Sequence, residues 1–370
     1  MTDPQKQQEQ ELLALRDEID EIDRQIHELI NQRAGCAQRV AQVKEKYQGV
    51  NDAVFYRPER EAQVLRKVME RNRGPLEDRE VARLFREVMS VCLALEKPLQ
   101  IAYLGPAGAF TQLASHKHFG NSANTHPKDS LDQVFSAVQH GDVNYGVVPI
   151  EHSTQGVAVP TLDLFKRYDL NICGEVELQV QLHLYSPNNR AFCELNTVYA
   201  SADTLAQCQA WLQQHCPEVA QVVVESQQDA LECARKAHSA AVVAGDGALD
   251  TSWHLLKQNI SSDIEHKARF LIIGRQEVGP SGRDKTSILV AAKNKPGALR
   301  QLLAPFHDKD ISLTGIETHS AEGILGAQCS VFYIDFEGHK SIPDVAQALE
   351  QVREESVELK MLGSYPRAVI

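Results

Sequence analysis

Residues 12–44 read LLALRDEIDEIDRQIHELINQRAGCAQRVAQVK, and their rhythm decides how the fold begins. Leu12, Leu15, Ile19, Ile22, Ile26 and Leu29 step by three and four, which predicts an amphipathic helix of many turns. Continued past Leu29, the stripe runs through Arg33, Cys36, Val40 and Val43, so a cation stands where an apolar residue belongs. Lys44 lies eleven positions beyond Arg33, at nearly the same azimuth of a helix. Further along, Pro58 opens a second helix with Val64, Leu65, Val68 and Met69 on its apolar side. A third carries Val81, Leu84, Phe85, Val88, Cys92 and Leu95 and ends before Pro98. Glu61 and Glu96 fall on the inner faces of these two helices. Three helices of such unequal length do not close a globule, so residues 8–97 are expected to pair with a second copy as a homodimer. The bland account of four inward charges is an ion-pair network or an exposed stripe edge. The sharper one is a dianionic ligand held in the bundle core.

The chain has 370 residues and a net charge of -12, which argues against nucleic acid as a bulk partner. No run approaches the roughly 20 apolar residues of a membrane span. The start is polar and acidic, unlike a secretory signal. Eight scattered cysteines, with no Cys-x-x-Cys pair, read as free thiols of a cytoplasmic protein. His116 and His118 in SHKHFG have no ligand cluster beside them, so a plain surface helix is expected there and no metal site.

From residue 99 the rhythm changes. YGVVPIEHS, NICGEVELQVQLHLYS, AAVVAG and RFLIIG are short β-like runs, with helical stretches such as SLDQVFSAVQHGD between them. This alternation predicts an α/β domain over 99–278. EVGPSGRDK reads as a linker. From 285 to 370 the predicted order is βαββαβ, a ferredoxin-like α+β unit. The expected fold class is therefore multidomain: all-α, then α/β, then α+β.

The helical segment, with FYRPEREAQVL at 55–65, resembles the all-helical chorismate mutase domain, whose members work as intertwined dimers. By that resemblance Arg16 reaches into the partner's site and Arg33 holds a substrate carboxylate. Lys44 meets the ether oxygen, while Arg60 and Glu61 sit near the second carboxylate and the ring hydroxyl. The chain departs from the family pattern at Arg57, often Asp, and at Glu96, often Gln. Chorismate must fold into a chair for a pericyclic shift, so no nucleophile and no cofactor is needed. A glutamate at position 96 can donate to the ether oxygen only when protonated. Lys44 opposes that state and burial favours it.

The middle segment is similar to prephenate dehydratase, a two-lobed α/β fold with its site in the cleft. The motifs are partly altered. Gly-Pro-x-Gly-Thr-Phe-Thr becomes Gly105 to Thr111 with Ala109 for a threonine. Glu151, His152 and Ser153 stand for Glu-Asn-Ser/Thr. Ala200 and Ser201 occupy the usual serine and histidine places, and Asp203 a glutamine place, with Gln207 and Cys208 kept. Ala268, Arg269 and Phe270 stand for Thr-Arg-Phe, whose threonine is the family's main catalytic hydroxyl. The resemblance implies that Glu151, Arg269, Thr111, Ser153, Gln207 and Phe270 hold prephenate; His152, where the family has Asn, would be a substitute acid if the site dehydrates. Ala109, Ala200 and Ala268 all replace hydroxyls, which thins the help given to the leaving hydroxide. Dehydration, decarboxylation without aromatisation, and a catalytically silent domain all stay open.

The last segment resembles an ACT domain, a small-molecule sensor for an amino-acid effector. Gly297, Ala298 and Leu299 match its glycine turn. Glu317, Thr318, His319 and Ser320 stand where the phenylalanine-sensing type has Glu-Ser/Thr-Arg-Pro. The order of the three units is that of the bifunctional enzymes of phenylalanine synthesis, in which the product of one site is the substrate of the next.

Overall fold

The computed structural model describes residues 3–370 apart from 49–54, 107–108, 153–155, 180, 189–190, 226, 238, 246–248, 250–251, 262–266 and 321–328. Three helices come first: α1 (Asp3–Gln48), α2 (Pro58–Arg71) and α3 (Asp78–Glu96). Pro58 sits in the first turn of α2, where its missing N–H costs nothing. α1 has 46 residues, which makes it roughly 69 Å long. Every residue from 6 to 32 is exposed, including the stripe of Leu15, Ile19, Ile22, Ile26 and Leu29.

The α/β part has two lobes. Its first lobe holds β1 (Gln100–Leu104), α4 (Phe110–Phe119), β2 (Asn124–Lys128) and α5 (Leu131–His140). β3 (Tyr145–His152), β4 (Gly156–Val157), α6 (Val159–Arg167) and β5 (Asn171–Gln179) follow. The second lobe holds β6 (Leu182–Ser186), β7 (Thr197–Ala200), α7 (Ala202–His215) and β8 (Ala220–Val223). It continues with α8 (Gln227–Lys236), β9 (Ala240–Gly245) and β10 (His254–Lys257). The chain then returns to the first lobe as β11 (Lys267–Gly274). The first sheet runs β2-β1-β3-β11-β5, with β4 on β3, and the second runs β10-β6-β9-β7-β8. β11 thus lies between β3 and β5, antiparallel to both. Its residues are sorted by face. Ala268, Phe270 and Ile272 join the apolar cluster that also holds Ala200, Leu205 and Cys208 of the second lobe. Leu271 and Ile273 join the cluster on the other side.

The last unit is β12 (Asp284–Lys293), α9 (Ala298–Asp308), β13 (Leu313–Ser320), β14 (Cys329–Glu337), α10 (Pro343–Glu355) and β15 (Glu358–Pro366). The order βαββαβ is the expected one, and the sheet runs β13-β14-β12-β15. Ile288, Val290 and Ala292 of β12 pack under the two helices, whereas Leu289 and Ala291 pack on the first lobe. Burial on both faces explains the unbroken apolar run TSILVAA. The predicted linker is not loose. Ser281 is buried, and Arg66 of α2 donates to the carbonyls of Ser281 and Arg283 at 3.2 and 2.9 Å.

Candidate active sites

An open cavity of about 530 Å³ lies among the three helices. Arg33 and Lys44 of α1, Arg57, Arg60 and Glu61 of α2, and Glu96 of α3 all line it. Four of the five mutase residues implied by the resemblance, Arg33, Lys44, Arg60 and Glu61, are therefore brought with Glu96 to a single place. Arg33 donates toward the carbonyl of Val88 at 3.5 Å, and Lys44 donates to that of Phe55 at 3.1 Å. Arg16 does not join them. It is exposed on α1, roughly 25 Å along the helix from Arg33.

The Glu96 atom Oε2 is buried without a hydrogen-bond partner among the described residues. Burial raises the carboxyl above its ordinary range, against the pull of Lys44 and Arg33. Burial likewise lowers Lys44, opposed by Glu96 and aided by Arg57. Of the two influences weighed on Glu96, burial wins. Glu61 follows the bland account of an inward charge instead. Its Oε1 accepts from Nε of Arg86 at 3.2 Å, with both side chains largely buried. Burial raises Glu61 too, and Arg86 draws it back.

Arg86 escaped the sequence reading. The signal was available, since Ala82, Arg86 and Ser90 step by four along one buried edge of α3. His118 is a correction. It is not a free surface residue but half-buried, with Nε2 3.0 Å from the hydroxyl of Tyr56. Burial and the nearby Arg86 depress it to about 3, so it is neutral. No cluster of His, Cys, Asp or Glu fit for a metal occurs among the described residues.

In the α/β part, β3 and β11 bring two altered motifs side by side. Ala268 is in register with His152, and Arg269 with Glu151. Ser153 and the side chains of His152 and Asp203 lie outside the described residues. Glu151 is exposed, while Thr111, Gln207, Ala268 and Phe270 are buried. The Thr111 hydroxyl donates to the carbonyl of Leu104.

Arg269 is the principal correction. It was expected to take a substrate carboxylate, but its guanidinium points to the opposite face of β11 from Ala268 and takes protein carboxylates. Nε donates to Glu175 of β5 at 2.9 Å and Nη1 to Asp335 of β14 at 2.6 Å. Nη2 donates to the hydroxyl of Tyr365 in β15 at 3.0 Å. Lys285 also donates to Glu175, at 2.9 Å. The physical reason is strand alternation. Ala268 and Phe270 face the apolar cluster shared by the lobes, so Arg269 must face the other way, where the last unit docks.

In that last unit Gly297 caps α9 with φ +83, a conformation that favours glycine, and no atom crowds the place of a Cβ. Ala298 begins α9 and Leu299 is partly exposed beside it. Glu317 lies on the edge strand β13. The side chains of His319 and Ser320 lie outside the described residues.

Comparison with known proteins agrees with this division. The family model for chorismate mutase type II matches residues 15–97, that for prephenate dehydratase 101–278, and that for the ACT domain 286–354. A bifunctional chorismate mutase/prephenate dehydratase of Pseudomonas aeruginosa is 49% identical over 97% of this chain and 99% of its own length. One from Aquifex aeolicus is 38% identical over 98% and 99%. The crystal structure of prephenate dehydratase from Arthrobacter aurescens in complex with L-Phe superposes with a TM-score of 0.67 at 25% identity. It covers 73% of this chain and 90% of that one. The chain, with its helical cavity, its two-lobed α/β part and its βαββαβ unit, belongs to the bifunctional chorismate mutase/prephenate dehydratase family.

Proposed function

We propose that the helical domain converts chorismate to prephenate, and that the α/β domain then removes CO2 and water from prephenate to give phenylpyruvate. The observation that carries the first step is the cavity that gathers Arg33, Lys44, Arg57 and Arg60 around a partly buried Glu96. The substrate is a dianion. Arg33 and Arg60 take its carboxylates and hold it in the chair. Lys44 and a neutral Glu96 donate to the ether oxygen as the carbon–oxygen bond breaks and negative charge grows there. Glu61 accepts from the ring hydroxyl. Arg16 of the partner subunit closes the cavity in a homodimer, which also covers the exposed stripe of α1. The ACT domain binds an amino-acid effector at the turn of Gly297, Ala298 and Leu299, with Glu317.

For the second step one observation favours a different outcome. Ala268 and Ala200 carry no hydroxyl in the cluster that joins the lobes, and the Thr111 hydroxyl is engaged by a backbone carbonyl. With proton donors thinned there, CO2 leaves while the ring hydroxyl stays, and the ring is protonated on carbon. Chorismate fed to the purified protein, with products weighed by mass spectrometry, decides between them. Loss of CO2 and water means dehydratase, and loss of CO2 alone means decarboxylase. Accumulating prephenate means that the second domain is silent. Unconsumed chorismate removes the mutase reading.

A further inference from the structure

We infer that Arg86 is a positioning residue of the mutase reaction, fixing Glu61 against the substrate cavity while being held itself by the next domain. The inference rests on the mutase reading above. Glu61 lines the cavity, and one of its oxygens is bound by Nε of Arg86. Nη1 of the same guanidinium donates to the carbonyl of Lys117 in α4 at 2.7 Å. Arg86 is only 7% exposed, so little solvent competes for it. A guanidinium can serve both acceptors at once because its donors form a rigid fork. The adjacent residue, His118, binds Tyr56, which also lines the cavity. One wall residue of the mutase cavity, Tyr56, is thus bound directly from α4 of the dehydratase domain, and a second, Glu61, is tied to the same helix through Arg86.

The charged and titratable neighbours of Glu61 lie on two sides. A small cavity of about 30 Å³ carries Tyr56, Arg86, His118, Cys173, Glu175, Arg367 and the terminal residue Ile370 beside it. The large cavity carries Arg33, Lys44, Arg57, Arg60 and Glu96. Of these, Arg86 is the cation in hydrogen-bonded contact with the carboxylate. Without it, burial would drive Glu61 toward the neutral acid, a weaker acceptor for the ring hydroxyl than the carboxylate.

The test uses the full chain and follows chorismate consumption from pH 4.5 to 9. Wild-type turnover is measured first, because its absence would remove the mutase reading and not this inference alone. Arg86→Met is expected to lower kcat/KM at pH 7 by about tenfold to a hundredfold. Introduced into Glu96→Gln, where one carboxyl fewer titrates, it should shift the acid limb upward by about one unit or more. In a Glu61→Gln background the same change should cost less than about threefold, since the two residues act as a unit. Arg86→Lys keeps the cation and gives up the Lys117 tie. It should leave the acid limb in place with a loss of only a few-fold, and it decides the matter if the Met variant does not fold. A pH-independent loss, full additivity with Glu61→Gln, or a Lys variant as impaired as the Met one would overturn the inference.

Discussion

Replacing Arg269 by Met tests the reassignment of that residue. Glu175 would keep Nζ of Lys285 at 2.9 Å and the N–H of Ala368 at 3.1 Å. Asp335 would keep the Ser287 hydroxyl at 2.5 Å. Of these two carboxylates, each 1% exposed at the side chain, Glu175 would then keep a cation in contact, and Asp335 would lose the one it is paired with. Removing one partner of a buried ion pair costs about 3–5 kcal/mol, and the contacts that survive place this case near the lower end. At 1.4 kcal/mol per factor of ten, local opening should become on the order of a hundredfold more frequent. Hydrogen–deuterium exchange at β11 and β14 reads that opening directly, without assuming that a three-domain chain unfolds in one step.

The pH dependence has a definite sign. Burial pushes Glu175 upward, but Arg269, Lys285 and two hydrogen bonds bring it below its ordinary range. A depressed carboxyl stabilises the fold above its unfolded pKa, near about 4.3, and this stability is lost as pH falls through the folded value. The deficit of the variant should be full at pH 7 and shrink below about pH 4. Exchange within tenfold of wild type, together with a selective rise in KM for prephenate, would refute the reasoning. It would mean that Arg269 serves the substrate.

Three further outcomes are expected. Mutase activity should fall as pH rises through the raised pKa of Glu96, and Glu96→Gln should flatten that limb in a pH–rate profile. If the proposed homodimer forms through the α1 stripe, Ile19→Asp with Ile26→Asp should give monomers in sedimentation velocity and reduce chorismate turnover by at least about a hundredfold, because the proposed reach of Arg16 into a partner's cavity would be lost. Ala268→Thr should raise the share of phenylpyruvate among the products, by roughly tenfold or more if a single hydroxyl is what the leaving group lacks.

The sequence made legible whatever is local. The three helices, the βαββαβ order and the inward placing of Arg33, Lys44, Glu61 and Glu96 follow from periodicities of a few residues, whereas Arg60 is indicated only by the family resemblance. What stayed hidden depends on distant partners. Arg269 meets Glu175 and Asp335 at separations of 94 and 66 residues, and nothing near KARFLIIG indicates either. Strand alternation requires Arg269 and Ala268 to face opposite sides, so adjacency in KARFLIIG does not place both in one site. His118 shows the same limit. A histidine among Lys117 and His116 looks solvated until Tyr56, 62 residues earlier, is packed against it. Glu61 was read correctly as inward, but its partner on α3 needed the third dimension.

The place of β11 between β3 and β5 bears on how the chain is made. Roughly ninety residues separate the end of β5 from the start of β11. At about 5–20 residues per second, the ribosome leaves the facing edges of β3 and β5 unpaired for roughly 5–20 s. The second lobe emerges whole during that interval. Folded first, it replaces a long flexible loop by a compact bridge with near ends, and so lowers the entropy of closing the sheet. The late strand carries Arg269 with it, so the ACT domain, made last, docks only on a completed first lobe. Assembly order is thereby written into strand order, and an early-stalled chain would present open sheet edges to chaperones or to other copies of itself.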